Sequence, residues 1–445
     1  MVGLEEFKRL LSEEITQRKE EGYDVTEIEK RFRSRVEEAN FEELCNLLAA
    51  LEKCKLRAGF PYVEPSDLPT IRGERPQGPR SIDLELSDKE LLNKVLGGWL
   101  GRCAGCLLGK PAEFLNKEQI KEWLTIASAY PLKNYFPPIP NPPNNAPVWL
   151  KYRLMNSGVL LGQIKGMPRD DDIDYTILNL HVLESSGFNL STMDVGKTWL
   201  SVLPYNMVYT AESVAYRNLV NGLLPPETAL HLNPYREWIG AQIRADTWGY
   251  VTPGMPELAA ELAHKDASLS HTKNGIYGEM FVSAMISAAF TTNDVEKIVK
   301  IGLSEIPKRS RLAEAVKDTV KWSKKYDDWK NVWDSINEKY GSYSPVHTIN
   351  NAALIIMGLL CGEGDFEKSI TTSVMGGFDT DCNGATTGSI LGVILGAKNL
   401  PKKWIKPLNN RIESYIVGYN NSQISELAKR TFRLAKKSMQ TSSTT

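Results

Sequence analysis

Two short acidic segments carry the residue types best suited to chemistry: Pro168-Arg169-Asp170-Asp171-Asp172-Ile173-Asp174-Tyr175-Thr176 and Gly376-Gly377-Phe378-Asp379-Thr380-Asp381-Cys382-Asn383. Few basic residues stand near either one in sequence. Carboxylates crowded this closely cannot all stay ionised in a packed interior unless a cation compensates them, because each uncompensated buried charge costs several kcal/mol. A bound divalent metal is the expected solution. Carboxylate-dominated ligation points to a hard cation, Mg²⁺, Mn²⁺ or Ca²⁺, over zinc, and aspartates from both segments could hold two ions about 4 Å apart. The competing reading, for either segment taken singly, is a helix N-terminus at which carboxylates cap the first turn. The alternation Asp170, Asp172, Asp174 is not an EF-hand loop, since the sixth position is Tyr175 and the twelfth is His181, where Gly and Glu belong. Nor do residues 105–110 make a phosphate loop, because Pro111 stands where Ser or Thr would bind magnesium.

Two glycine series must position these segments. Gly97, Gly101, Gly105 and Gly109 recur every four residues, and so do Gly384, Gly388, Gly392 and Gly396. Glycine inside a helix costs roughly 1 kcal/mol relative to alanine, so both strips need an offsetting gain. A bare strip lets another backbone approach closely, and the two helices are therefore expected to be central and packed on one another. The first leads into Lys110-Pro111-Ala112-Glu113, while the second follows Asp379 and Asp381. This brings Glu113 and two aspartates to helix ends.

From about Ser87 onward helical patterns follow one another with few alternating β-branched runs, so the expected fold class is all-α. The proline-rich residues 131–147 make a long loop. Residues 4–57 read as a helical hairpin, and residues 65–79 as a Pro/Gly-rich linker. The expected organisation is a helical extension and linker over 1–80, a main domain over 87–435 and a flexible Ser/Thr-rich tail over 436–445.

The bulk composition excludes several classes of function. With 445 residues, 42% hydrophobic, 24% charged and a formal net charge of −1, the chain has no global field to draw it to nucleic acid or an anionic membrane. Its N-terminus lacks an apolar signal-peptide core, and the apolar run at 352–361 is far shorter than the roughly 20 residues that span a bilayer. A cytoplasmic location is expected. The six cysteines are scattered, unlike a disulfide framework. Cys103 and Cys106 form a C-x-x-C without a second pair, and are read as small buried side chains.

Gly98-Trp99-Leu100-Gly101-Arg102-Cys103-Ala104-Gly105-Cys106-Leu107-Leu108-Gly109-Lys110-Pro111-Ala112-Glu113, the Asp pair after Pro168, Ser270-His271 before a helix, and Gly377-Phe378-Asp379-Thr380-Asp381 before a Gly-rich helix together resemble the ADP-ribosylglycohydrolase family. That group includes the dinitrogenase reductase-activating glycohydrolases, and the likeness covers roughly residues 90–430. It implies an all-α helical bundle with a central cleft holding two Mg²⁺ or Mn²⁺ ions, in which a ribosyl glycosidic bond is hydrolysed. The family's first ligand triplet falls on Asp170, Asp171 and Asp172, its second on Asp379, Asp381 and Cys382, and its acidic first-motif residue on Glu113. Glu113, with Asp172, is the expected catalytic carboxylate, and His271 and Gly377 the expected substrate contacts. An oxocarbenium-like transition state agrees with such a placement.

The departures from the family pattern are informative. Asp170 and Cys382 stand where the family has threonines, Cys106 replaces an aspartate, and Ile173 replaces the threonine after the Asp pair. A thiol is a poor ligand for Mg²⁺. Between the two acidic segments there is no convincing Gly-rich loop for a diphosphate. The expected substrate is accordingly a ribosyl or ADP-ribosyl compound, free or on a protein, with a nucleosidase-like hydrolase or a non-catalytic binding protein as alternatives. His347 reads as a cap or packing residue ahead of an apolar helix, and Trp149, Tyr205, Tyr209 and Trp248 as aromatics able to stack on a base but more typical of core positions.

Overall fold

A computed structural model describes residues 3–155 and 158–442. Among these are 22 α-helices, joined by turns and by longer loops such as the expected one, which spans residues 127–147, and the only sheet is a pair of two-residue antiparallel strands, Arg411–Ile412 and Ser422–Gln423. The chain is all-α. No described helix is long and apolar enough to cross a membrane.

The two glycine helices form its axis. Asp88–Gly109 starts at a capping box in which the Ser87 hydroxyl accepts from the Glu90 amide and the Glu90 carboxylate accepts from the Ser87 amide. It runs antiparallel to Thr380–Leu395, with Gly97 against Gly392, Gly101 against Gly388 and Gly105 against Gly384. A Cβ at any of these six positions would fall less than 3.0 Å from a carbonyl oxygen of the opposite helix, a separation that real Cβ atoms do not show. The expected packing is therefore present, with one correction. Gly396 ends its helix at a φ of +71° while still abutting Asn93 and Gly97 of the first helix, and at the other end of the seam Thr380 faces Gly109. The Thr380 hydroxyl donates to the Gly109 carbonyl at 2.8 Å. The end of one helix is thus tied to the start of the other.

The N-terminal extension differs from the expected hairpin. It has three helices, Leu4–Glu20, Thr26–Arg35 and Phe41–Glu52, closed on a small core that includes Phe7, Leu11, Ile15, Phe32, Leu44 and Leu51. It is not loosely appended. Glu14 and Glu21 are buried against Arg236 at 2.6 and 2.8 Å, and Gln17 donates to Glu237 at 2.7 Å. The Pro/Gly-rich linker is a fixed strap as well. It contains the helix Leu68–Glu74, pairs Glu64 with Arg311 at 2.8 Å and joins Arg75 to Glu305 at 2.6 Å. Local composition signalled a breaker correctly, but long-range ion pairs hold the segment.

The expected flexible tail also needs correction. The last helix, Ile424–Ser442, continues through most of it because Ala435 and Ser438 are buried and the Ser438 hydroxyl donates to the Val251 carbonyl. Residues 443–445 of that expected tail lie outside the described residues.

Two measurements test this architecture. Gly101→Ala or Gly388→Ala should lower stability by about 1–3 kcal/mol or more through overpacking, seen as a lower thermal midpoint. Gly73→Ala, at a helical position with no neighbour within 4 Å, should not. The second concerns Glu20, which is pushed up to about 8, first by burial and then by Glu237. Its protonated form favours folding fully below the unfolded value of 4.5, and that contribution is lost as pH rises through about 8. Glu20→Gln should therefore raise the thermal midpoint above wild type by an amount that grows between about pH 5 and about pH 9.

Candidate metal centre

Two helix starts and one helix end build the site. Asp170 is the N-cap of the helix Asp171–Ser186, its side chain accepting from the Asp172 amide at 3.0 Å, so the capping reading of this segment is correct as far as one oxygen goes. Its other oxygen accepts from the Lys110 ammonium group. Asp379 is the N-cap of the second glycine helix but makes no side-chain cap bond, and its amide donates to Asn351 at 3.2 Å. Because Gly109 is fastened to Thr380, Lys110 and Glu113 arrive beside Asp379 and Asp381. A cavity of about 400 Å³ results, lined on its acidic side by Glu113, Asp170, Asp171, Asp379, Asp381 and Cys382. Phe114, in the lining, and its neighbour Phe378 take φ values of +63° and +62°, and the Phe114 amide donates to the Phe378 carbonyl at 3.2 Å. Backbone held in this region by bulky residues is a recurrent mark of functional sites.

The charge balance differs from what the sequence suggests. Lys110 and Arg102, distant in the chain, neutralise part of the first segment by facing Asp170 and lying 3.1 Å from Asp172, and Arg169, within the segment, lies 2.8 Å from Asp174. Asp171, Asp379, Asp381 and Glu113 have no ion-pair partner among the described residues. Burial and mutual repulsion accordingly push Asp171 up to about 7, Glu113 up to about 9, and Asp379 and Asp381 upward as well. Asp170 is held below its usual range by Lys110 despite its burial.

This arrangement fits a divalent cation. Asp381 Oδ1 is buried with no hydrogen-bond partner. Donor atoms of Asp379, Asp381 and Cys382 lie within 4.8 Å of one another, and so do those of Cys106, Asp170 and Asp172. The sequence reading left Cys106 as packing. Its substitution for an acidic family residue was the available signal.

Not every expected site residue reaches the cavity. Asp172 lies beneath it, held by Arg102 and accepting from the Cys382 thiol at 3.1 Å, so it is poorly placed to exchange a proton with substrate. His271 is buried behind the wall with Ser270 Oγ 2.8 Å from its Nδ1, and Gly377 serves a turn at φ +79° whose Cβ would strike the Leu115 carbonyl. Neither lines the cavity. His347 caps the helix Thr348–Cys361, as expected. Trp248 is core, donating to Glu279 at 2.8 Å, whereas Tyr209 does line the cavity. Sequence reasoning missed Lys110, Arg169, Tyr175, Glu212 and Trp238, which also line the cavity. Lys110 and Arg169 adjoin recognised motifs, but Glu212 and Trp238 carry no local signal.

The family model for ADP-ribosylglycohydrolase matches residues 87–441. The chain belongs to the ADP-ribosylglycohydrolase family. A solved structure described as an ADP-ribosylglycohydrolase-related protein complex is similar to it at 19% identity and a TM-score of 0.51, covering 79% of this chain and 100% of that one, a likeness of fold. No curated protein matches the chain. Against the ADP-ribosylglycohydrolase pattern, the matched region leaves out the first 86 residues and includes every residue that lines the cavity.

Asp379→Asn combined with Asp381→Asn should weaken Mn²⁺ binding by at least about tenfold, ~1.4 kcal/mol, in calorimetric titration. Cys382→Thr should leave Mn²⁺ affinity the same or higher, because a hydroxyl oxygen suits a hard cation better than a thiol.

Proposed function

We propose that the chain hydrolyses a ribosyl glycosidic bond with the help of two divalent ions, Mg²⁺ or Mn²⁺, and that its substrate is an ADP-ribosyl or related ribosyl compound, free or attached to a protein. The observation that carries this reading is the convergence of Asp171, Asp379, Asp381 and Glu113, all without cationic partners, on one cavity. Asp170, Asp171, Asp379 and Asp381 would hold the ions, with Cys382 beside them in the lining and Asp172 behind. When bound, such ions supply Lewis acidity toward sugar oxygens.

The side chains account for the remaining steps. Glu113 is buried enough to hold a proton near neutral pH and lines the cavity, so it is suited to protonate the leaving group as the bond lengthens toward an oxocarbenium-like state. The resulting carboxylate can then take a proton from the attacking water. Arg169 fixes the opposite wall by pairing with Asp174 and donating to the Met207 carbonyl at 3.0 Å, with its guanidinium 5.7 Å from the Tyr209 ring centre. Tyr209 and Trp238 offer faces on which a planar or sugar ring can pack.

A second reading, a nucleosidase-like hydrolase whose substrate lacks a diphosphate, is favoured by one observation. Both basic side chains that line the cavity, Lys110 and Arg169, are already paired with carboxylates. We take the protein to work in the cytoplasm, without nucleic acid or membrane as partner. A non-catalytic binding role is the remaining alternative, and one substitution separates it. Glu113→Gln should lower kcat by at least about 100-fold on whichever ribosyl substrate the wild type turns over, with circular dichroism and Mn²⁺ affinity unchanged. Wild-type protein that releases no ribosyl product from a panel of ribosyl and ADP-ribosyl compounds would favour the binding role.

A further inference from the structure

The cavity contains a carboxylate that neither the metal centre nor the hydrolytic step uses. Glu212, 3% exposed, enters from the helix Thr210–Val220 and lines the cavity. Three features fix it there. Arg244, fully buried, donates to Glu212 Oε1 at 2.7 Å, and is itself locked by Asp266 at 2.9 Å. Gly240, another lining residue, leaves the space that the carboxylate fills, since a Cβ at Gly240 would fall on both Glu212 oxygens. Thr210, two residues before it, holds a φ of +41°.

Glu212 is more than a structural counter-ion. Arg244 donates to Oε1, the Thr210 hydroxyl reaches Oε2 only at 3.5 Å, the outer limit of a hydrogen bond, and the backbone amide of Glu212 itself also bears on the carboxylate. Accepting capacity remains. Beside it, Tyr175 comes from the same helix that begins at Asp171, lines the cavity and is 2% exposed, and its hydroxyl is buried without a hydrogen-bond partner. Glu212 is the charged group that acts most strongly on that hydroxyl. A buried hydroxyl without a partner is costly unless a ligand supplies one. The Tyr175 ring is kept in place by Trp199, 5.7 Å away, and by the Arg244 guanidinium, 5.5 Å from its centre.

The two side chains define a chemical preference. An ionised carboxylate only accepts hydrogen bonds, while a phenol hydroxyl both donates and accepts. Arg244 cannot offer its charge to an anion, because Glu212, Asp266 and Glu279 already surround it. A phosphate here would meet like charge, whereas a hydroxyl-bearing ring would satisfy Glu212 Oε2 and Tyr175 together. We propose that Glu212 and Tyr175 form a recognition subsite for a neutral, hydroxyl-bearing part of the substrate, as a nucleoside or pentose presents, and that this subsite discriminates against a phosphate at the same position.

The proposal rests on the ribosyl reading above, and binding measured apart from turnover separates the two. Adenosine and ADP-ribose are titrated calorimetrically into the Mn²⁺-loaded full-length protein as wild type, Glu212→Gln and Tyr175→Phe. Wild type should bind adenosine, and each variant should weaken that binding by about tenfold or more with Mn²⁺ affinity within about twofold of wild type. Because ADP-ribose carries a diphosphate as well as a nucleoside, relief of repulsion should offset part of the lost contact, and Glu212→Gln should weaken ADP-ribose binding less than adenosine binding. Should Glu212→Gln fail to fold because Arg244 loses its partner, Tyr175→Phe removes a single oxygen and leaves that ion pair intact. The subsite is overturned if wild type does not bind adenosine, if the folded variants bind it within about twofold of wild type, or if Glu212→Gln loses adenosine and ADP-ribose affinity in equal measure. A protein that binds no Mn²⁺ or releases no ribosyl product instead counts against the hydrolytic reading.

Discussion

Direct backbone contact between two antiparallel glycine helices is the constraint on which the rest of the molecule depends. Gly97, Gly101 and Gly105 pack on Gly392, Gly388 and Gly384 so closely that carbonyl oxygens occupy the places of absent side chains. The helical penalty of roughly 1 kcal/mol per glycine is offset by dispersion and by Cα–H···O contacts along the seam. The functional result follows from direction. Because the helices are antiparallel and locked through Gly109 and Thr380, the C-terminal end of one and the N-terminal end of the other meet, and both carry acidic residues.

At that meeting point the fold divides its carboxylates into two groups. Those at the back of the site, Asp172 and Asp174, are matched by Arg102 and Arg169, and Asp170 is matched by Lys110. Those facing the cavity, Asp171, Asp379, Asp381 and Glu113, are left to repel one another. Matching every carboxylate would have given a stable but inert core. Leaving a subset unmatched yields a site whose charge is satisfied by what it binds, at a cost that the surrounding buried core of the domain can absorb.

The extension has a defined mechanical relation to this site although it lies outside the family match. Arg236 and Glu237, which receive Glu14, Glu21 and Gln17, immediately precede Trp238 in the cavity wall. Leu10 packs with Ala211, Val214 and Tyr235, behind the helix that delivers Glu212. The first helix of the chain therefore supports the wall opposite the acidic face, by ion pairs on one side and apolar packing on the other.

The sequence by itself determined the all-α class, the pairing of the glycine helices and the two aspartate segments with Glu113, because these depend on local periodicity and on residue types whose spacing admits few alternatives. It misjudged the C-terminal tail, which Ser/Thr content alone would leave loose, it did not show that ion pairs strap down the linker, and it counted charge only along the chain. Tertiary structure alone decided which cations reach which carboxylates, that Asp172 and His271 stand behind the cavity, and that Glu212, Tyr175 and Trp238 face it. The reason is physical: electrostatic balance and access to a cleft are set by distances in space between residues on different elements, many of them far apart in the chain, and no local pattern encodes those distances.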